Sequence, residues 1–149
     1  MAVTLFDFLS FYNKSGAALQ DSLDLTKFAN YTLGGLTGLT ALAGGGQAGA
    51  TVLAYGWNEV DTVASNNDSV QLPPAIPNSF VFINNNGAST LAIYAGAGGN
   101  GANAGVADQM VAKTTTAKTA ATSDITIATG HCTLFVCTTI GVYKQAFDI

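Results

Sequence analysis

The sequence predicts a mainly β protein: an antiparallel β-sandwich or barrel with a helical or irregular N-terminal arm. Three observations carry that expectation. From residue 50 onward, short apolar and β-branched runs alternate with polar residues at period two. Clusters of Gly, Asn and Pro separate these runs about every ten residues. Charged residues make up only 9% of the chain, against a usual share of about a quarter. The surface must therefore be solvated by Thr, Asn, Ser, Gln and Gly, a choice common in β-rich, assembled proteins. A chain of 149 residues suffices for one domain, or one domain plus an arm, without a disulfide or metal to hold it. The expected division is an arm and Gly-rich connection over 1–49, then the β domain over 50–149.

Along the arm, Leu5, Phe8, Leu9 and Tyr12 fall at helical spacing. Thr4 is placed to cap this helix, and Asp7 lies near its positive end. Ser15-Gly16 ends it, and a second short helix is expected around Leu23 to Tyr31. Phe6, Phe8, Phe11 and Tyr12 exceed what one buried stripe of a short helix uses. Leu5, Phe6, Phe8, Phe11 and Tyr12 are thus the candidate partner-binding residues. Between Lys27 and Glu59 there is no charge, which is the pattern of a membrane span. Asn30, Gln47, the threonines and the glycine clusters argue against one continuous helix. A Gly-rich loop feeding a strand is expected instead.

Strands are expected over Ala50–Trp57, Val60–Ala64, Ser69–Leu72, Ser79–Asn84, Ser89–Ala95, Ile125–Thr129, Cys132–Thr138 and Gly141–Phe147. Thr51, Leu53, Tyr55 and Trp57 should share one strand face, and Trp57 and Phe82 should sit in the core. Asn84-Asn85-Asn86-Gly87 reads as a hairpin turn, since Asn and Gly tolerate the positive φ of a type I′ turn. Thr139-Ile140-Gly141 reads as a second one. Residues 96–105 are expected as a loop, since Gly, Ala and Asn supply no core-forming side chains.

The same inventory excludes several functions. All five basic residues are lysines and the net charge is −4, so no cationic face is available for nucleic acid. The N-terminus lacks the basic and apolar regions of a signal peptide, so export by the general route is not expected. Cys132 and Cys137 stand five residues apart and should point to opposite strand faces, as two small reduced hydrophobes. With His131 beside them they make no convergent metal site. Gly44–Gly49 and Gly96–Gly101 both match a dinucleotide fingerprint, but a strand pattern follows each where a helix is required. Pro74-Ala75-Ile76-Pro77 is expected as a stiff connection between strands and not as a polyproline ligand. One histidine, one glutamate and no arginine leave few general acids or bases. Asp61 and Asp68 are expected to cap turns and not to form a glycosidase-like pair. Neither enzymatic activity nor a cofactor is expected.

The run Asn67–Ala75, then Phe80-Val81-Phe82-Ile83-Asn84-Asn85-Asn86-Gly87, then Leu91-Ala92-Ile93-Tyr94, resembles a small β-rich module of tailed-bacteriophage virion proteins. Phe135–Thr139 and Gly141–Lys144 fit the aromatic hairpin that closes such modules. The resemblance covers about Val60 to Gln145, and the stretch 106–123 is longer than in the usual versions. It implies a structural virion protein made in the bacterial cytoplasm. Within that class it implies a capsid decoration (cement) protein, a homotrimer bound to the major capsid protein outside the head, with no nucleic-acid or membrane partner. A tail or fibre-associated protein contacting the host surface is the first alternative. A small membrane-active phage protein using residues 28–58 is the second.

Overall fold

A computed structural model gives the fold and describes residues 35–96, 107–113, 117 and 124–149. The strands are β1 (Gly35–Thr40), β2 (Thr51–Val52), β3 (Gly56–Thr62), β4 (Asp68–Gln71) and β5 (Phe80–Asn85). They continue as β6 (Leu91–Tyr94), β7 (Gln109–Val111), β8 (Asp124–Ile127), β9 (Cys132–Thr139) and β10 (Val142–Asp148). Six of them form one sheet in the order β1-β3-β5-β9-β10-β7, and four form another in the order β2-β4-β6-β8. The protein is mainly β, as its alternating sequence requires. The candidate arm residues Leu5, Phe6, Phe8, Phe11 and Tyr12 lie outside the described residues, as do the two expected N-terminal helices.

Strand pairing departs from the antiparallel expectation. The first six strands alternate between the sheets: β1, β3 and β5 in the larger, β2, β4 and β6 in the smaller. Each return to a sheet runs in the same direction as the last, so β1, β3 and β5 are mutually parallel, and so are β2, β4 and β6. The chain therefore coils three times between two sheets. β10 and β7 are also parallel. Only β5–β9, β9–β10 and β6–β8 are antiparallel ladders. Both sheets are mixed.

Local chemistry explains the two places where the expected strands fail. The run Ala50–Trp57 is not one strand, because Gly56 takes φ 89° and breaks it between β2 and β3. That break changes the phase. Gly56 and Asn58 face inward, while Trp57 faces out and is 41% exposed. Asn84–Gly87 closes no hairpin, since β5 and β6 belong to different sheets. Neither Asn86 nor Gly87 has positive φ. The buried amide of Asn85 shapes this corner instead. Its Nδ2 donates to the carbonyls of Ser89, Ile127 and Ala128 at 3.0, 3.3 and 3.2 Å, and its Oδ1 accepts the Gly87 N–H at 3.0 Å. The other expected hairpin is present: β9 and β10 join through a turn in which Gly141 has φ 75°.

Two strands occur where loops are expected. β1 lies in the Gly-rich connection, ahead of residue 50, and pairs with β3. β7 lies in the long stretch 106–123 and pairs with β10. The uncharged stretch from Gly35 to Asn58 is thus strand and turn, and among the described residues no helix is long and apolar enough to cross a membrane.

One hydrophobic core draws on both sheets: Val60, Val81, Ile83, Phe135 and Tyr143 from the larger, Val70, Leu91, Ile93 and Ile127 from the smaller. Burying each such side chain contributes about 1.5–3 kcal/mol. The segment 72–79 crosses from β4 to β5. Its prolines withhold three N–H groups where no ladder needs them, as expected for a stiff connector.

Candidate partner-binding surface

The carboxylates singled out by sequence serve separate structural tasks. Asp68 is buried in β4, where Oδ1 accepts the Gly44 N–H at 3.0 Å and Oδ2 accepts those of Ala64 and Ser65 at 3.0 and 2.9 Å. These amides, that of Ser65 foremost, hold its carboxyl below the usual range. The Gly44–Gly49 fingerprint thus directs the Gly44 amide at a carboxylate of its own chain. Asp61 accepts the Gly38 N–H and an Asn86 amide proton at 3.0 and 2.9 Å. Asp68 thus holds turn and loop amides, in keeping with the capping expected of it, whereas Asp61 lies within β3 and ties that strand to β1 and to Asn86.

Sequence reasoning passed over a third carboxylate. Asp108 is fully buried beside β7, and its Oδ2 accepts the Ala75 N–H at 2.7 Å. Its Oδ1 has no hydrogen-bond partner. Burial pushes this carboxyl up, and likewise the Cys137 thiol and the Tyr143 hydroxyl. The thiol and the hydroxyl are therefore neutral in the interior at neutral pH. A thiol shifted in this direction is a poor nucleophile. Cys137 faces the core and Cys132 the outer side of the same strand, as alternation demands. His131 Nδ1 stands 3.7 Å from Asp148 Oδ1, and no group of three metal-ligating side chains occurs among the described residues.

What remains is the outer face of the six-stranded sheet. Residues opposite one another across a ladder share a face. The registers Gly35↔Trp57, Trp57↔Phe82, Phe82↔Leu134 and Leu134↔Phe147 therefore form one row across five strands. Trp57 and Phe82 stack with centroids 4.4 Å apart, and Phe147 meets Phe82 edge-on at 5.7 Å. Gly35, opposite Trp57 on β1, has no side chain with which to cover the indole. Phe82, Leu134, Val136 and Phe147 are half-buried. Glu59 borders the row at one end, on β3, and Lys144 at the other, on β10.

A signal for this face was present in the sequence. Phe80–Ile83 and Leu134–Cys137 are apolar without interruption, the pattern of strands covered on both sides and not on one. Period-two patterning placed Phe82 and Trp57 in the core, whereas they form the outer row, since β5 is apolar on both faces and Gly56 changes the phase of Trp57. No family model, curated protein or solved structure matches the chain.

Proposed function

We propose that this chain is a structural virion protein of a tailed phage, a decoration protein that binds the outside of the head and adds contacts between major capsid subunits. One observation supports this best. Among the described residues Asp61 and Asp68 are taken up by backbone amides and Asp108 is buried, while an aromatic row is displayed on a stiff six-stranded frame. Such a body is suited to docking, since rigid aromatic anchors lose little entropy on binding. The net charge of −4 disfavours a position facing packaged DNA. The arm segment Leu5, Phe6, Phe8, Phe11 and Tyr12 supplies further apolar anchors for the capsid contact. Stabilisation follows by mass action, because the assembled shell binds the protein and separated subunits do not.

The test is mass spectrometry of separated heads and tails, followed by binding of the purified protein to undecorated heads. The protein is expected in heads, and its addition should raise the temperature of head rupture. Its recovery in tails alone would replace this role with the tail-associated one. Deleting residues 1–15 should weaken head binding; unchanged binding would remove the arm from the mechanism.

A further inference from the structure

We propose that the outer face of the six-stranded sheet is a self-interface, on which two copies of the chain pack face to face about a two-fold axis through Phe82 and Leu134. The inference rests on strand register and assigns the aromatic row to a second copy, so that in the dimer the capsid contact proposed above would fall to the arm segment and not to this face.

The first observation is the two-sided apolar character of β5 and β9. Val81, Ile83, Phe135 and Cys137 fill the core, while Phe82, Leu134 and Val136 face outward. The described residues cover these only in part, and Trp57 remains 41% exposed. The second observation is the placement of charge. Glu59 pairs with Asn84 on one side of the aromatic row, and Lys144 pairs with Val136 on the other. Among the described residues neither forms an ion pair.

Register fixes the geometry. Glu59 on β3 and Lys144 on β10 are three strand spacings apart, about 14 Å, and four residues apart along the strands, about 13 Å. The midpoint of that diagonal falls between Phe82 and Leu134, at the centre of the apolar row. A two-fold axis lying in the face at this point, perpendicular to the diagonal, brings Glu59 of each copy opposite Lys144 of the other. The diagonal runs at about 45° to the strands, so the strands of the two copies cross at about 90°, one of the two preferred geometries of sheet-on-sheet packing. A second copy thus presents one acid and one base at matching spacing around a matching apolar centre. That is the self-complementary pattern of an isologous pair.

The experiment is sedimentation equilibrium of the full-length protein over a concentration series, with circular dichroism to confirm folding of each variant. A monomer–dimer equilibrium is expected. Glu59→Lys and Lys144→Glu each set like charges opposite one another twice, so each should weaken dimerisation about tenfold or more. The double variant Glu59→Lys/Lys144→Glu restores both pairs and should dimerise as the parent does. An equimolar mixture of the two single variants should form the mixed dimer. Glu59→Gln and Lys144→Gln give the milder comparison if a reversal disturbs folding. A monomer at every concentration, a trimer, or a dimer indifferent to these substitutions would each overturn the proposal. Head binding is not read in this experiment, so its failure leaves the decoration role standing, and the failure of that role leaves the dimer standing.

Discussion

The hydroxyls of Tyr55 and Tyr143 converge on a single acceptor, both donating to the carbonyl oxygen of Pro74, at 2.7 and 3.2 Å. Pro74 belongs to the connector between the two sheets, which cannot anchor itself through the N–H groups that its prolines lack. Side chains do so instead. Asp108 holds the Ala75 N–H, and the Ala75 carbonyl accepts from Gly141 at the β9–β10 turn. Ser79 Oγ lies 3.5 Å from the Tyr143 hydroxyl but donates to the Ile76 carbonyl at 2.6 Å. The connector is thereby tied to the closing hairpin.

Replacing Tyr143 with Phe should cost about 1 kcal/mol, the usual net worth of one such hydrogen bond, because Tyr55 still satisfies Pro74. Tyr55→Phe should cost less, since that hydroxyl is nearer solvent. The double variant should lose more than the sum, because the carbonyl is then left without either donor. Urea unfolding of the four proteins measures the coupling directly; strict additivity would count against a shared acceptor.

Gly87 should tolerate no side chain. A Cβ there would lie 2.5 Å from Val63 Cβ and 2.6 Å from the Val63 backbone nitrogen. Relief requires movement of the β3–β4 connection, so Gly87→Ala should destabilise by about 1–3 kcal/mol. Thermal unfolding reads this, with Gly130→Ala as a comparison, where nothing lies within 4 Å of the added methyl and only the positive φ resists it.

Eight of the ten strands among the described residues were legible because most carry their own alternation or apolar run, a property of a few consecutive residues. β1 was not: Gly-Leu-Thr-Gly-Leu-Thr has period three, and its register with β3 shifts around Gly38, whose φ of 72° suits glycine. Parallel coiling was illegible for a different reason. Local pattern marks a strand but not its partner, and the Asn84–Gly87 run satisfies hairpin chemistry while Asn85 is bonded to Ile127 and Ala128, 42 and 43 residues away. The candidate surface was half legible. Its apolar runs stand in the sequence, but the phase of Trp57 depends on the turn at Gly56.

Stability at acid pH should be governed by two buried aspartates with opposite signs. The Asp68 carboxyl titrates lower in the folded chain than its ordinary value of 3.8. It therefore contributes stability above that value, and the contribution is lost as pH falls through its folded pKa. Asp108 titrates higher when folded, chiefly through desolvation, since one N–H bond does not offset the loss of water. Its contribution is complete below 3.8 and is lost as pH rises through the folded pKa. Asp108→Asn keeps an acceptor for the Ala75 N–H and carries no charge, so it should stabilise the protein at pH near 7 relative to the parent, and less so or not at all near pH 3. Asp68→Asn leaves one oxygen to serve three amides that now use two, so it should destabilise at neutral pH, with the difference shrinking on acidification. Denaturant titrations of the three proteins at several pH values between about 3 and 7 separate the two effects. An Asp108→Asn variant whose stability runs parallel to the parent across that range would show that Asp108 does not titrate differently on folding.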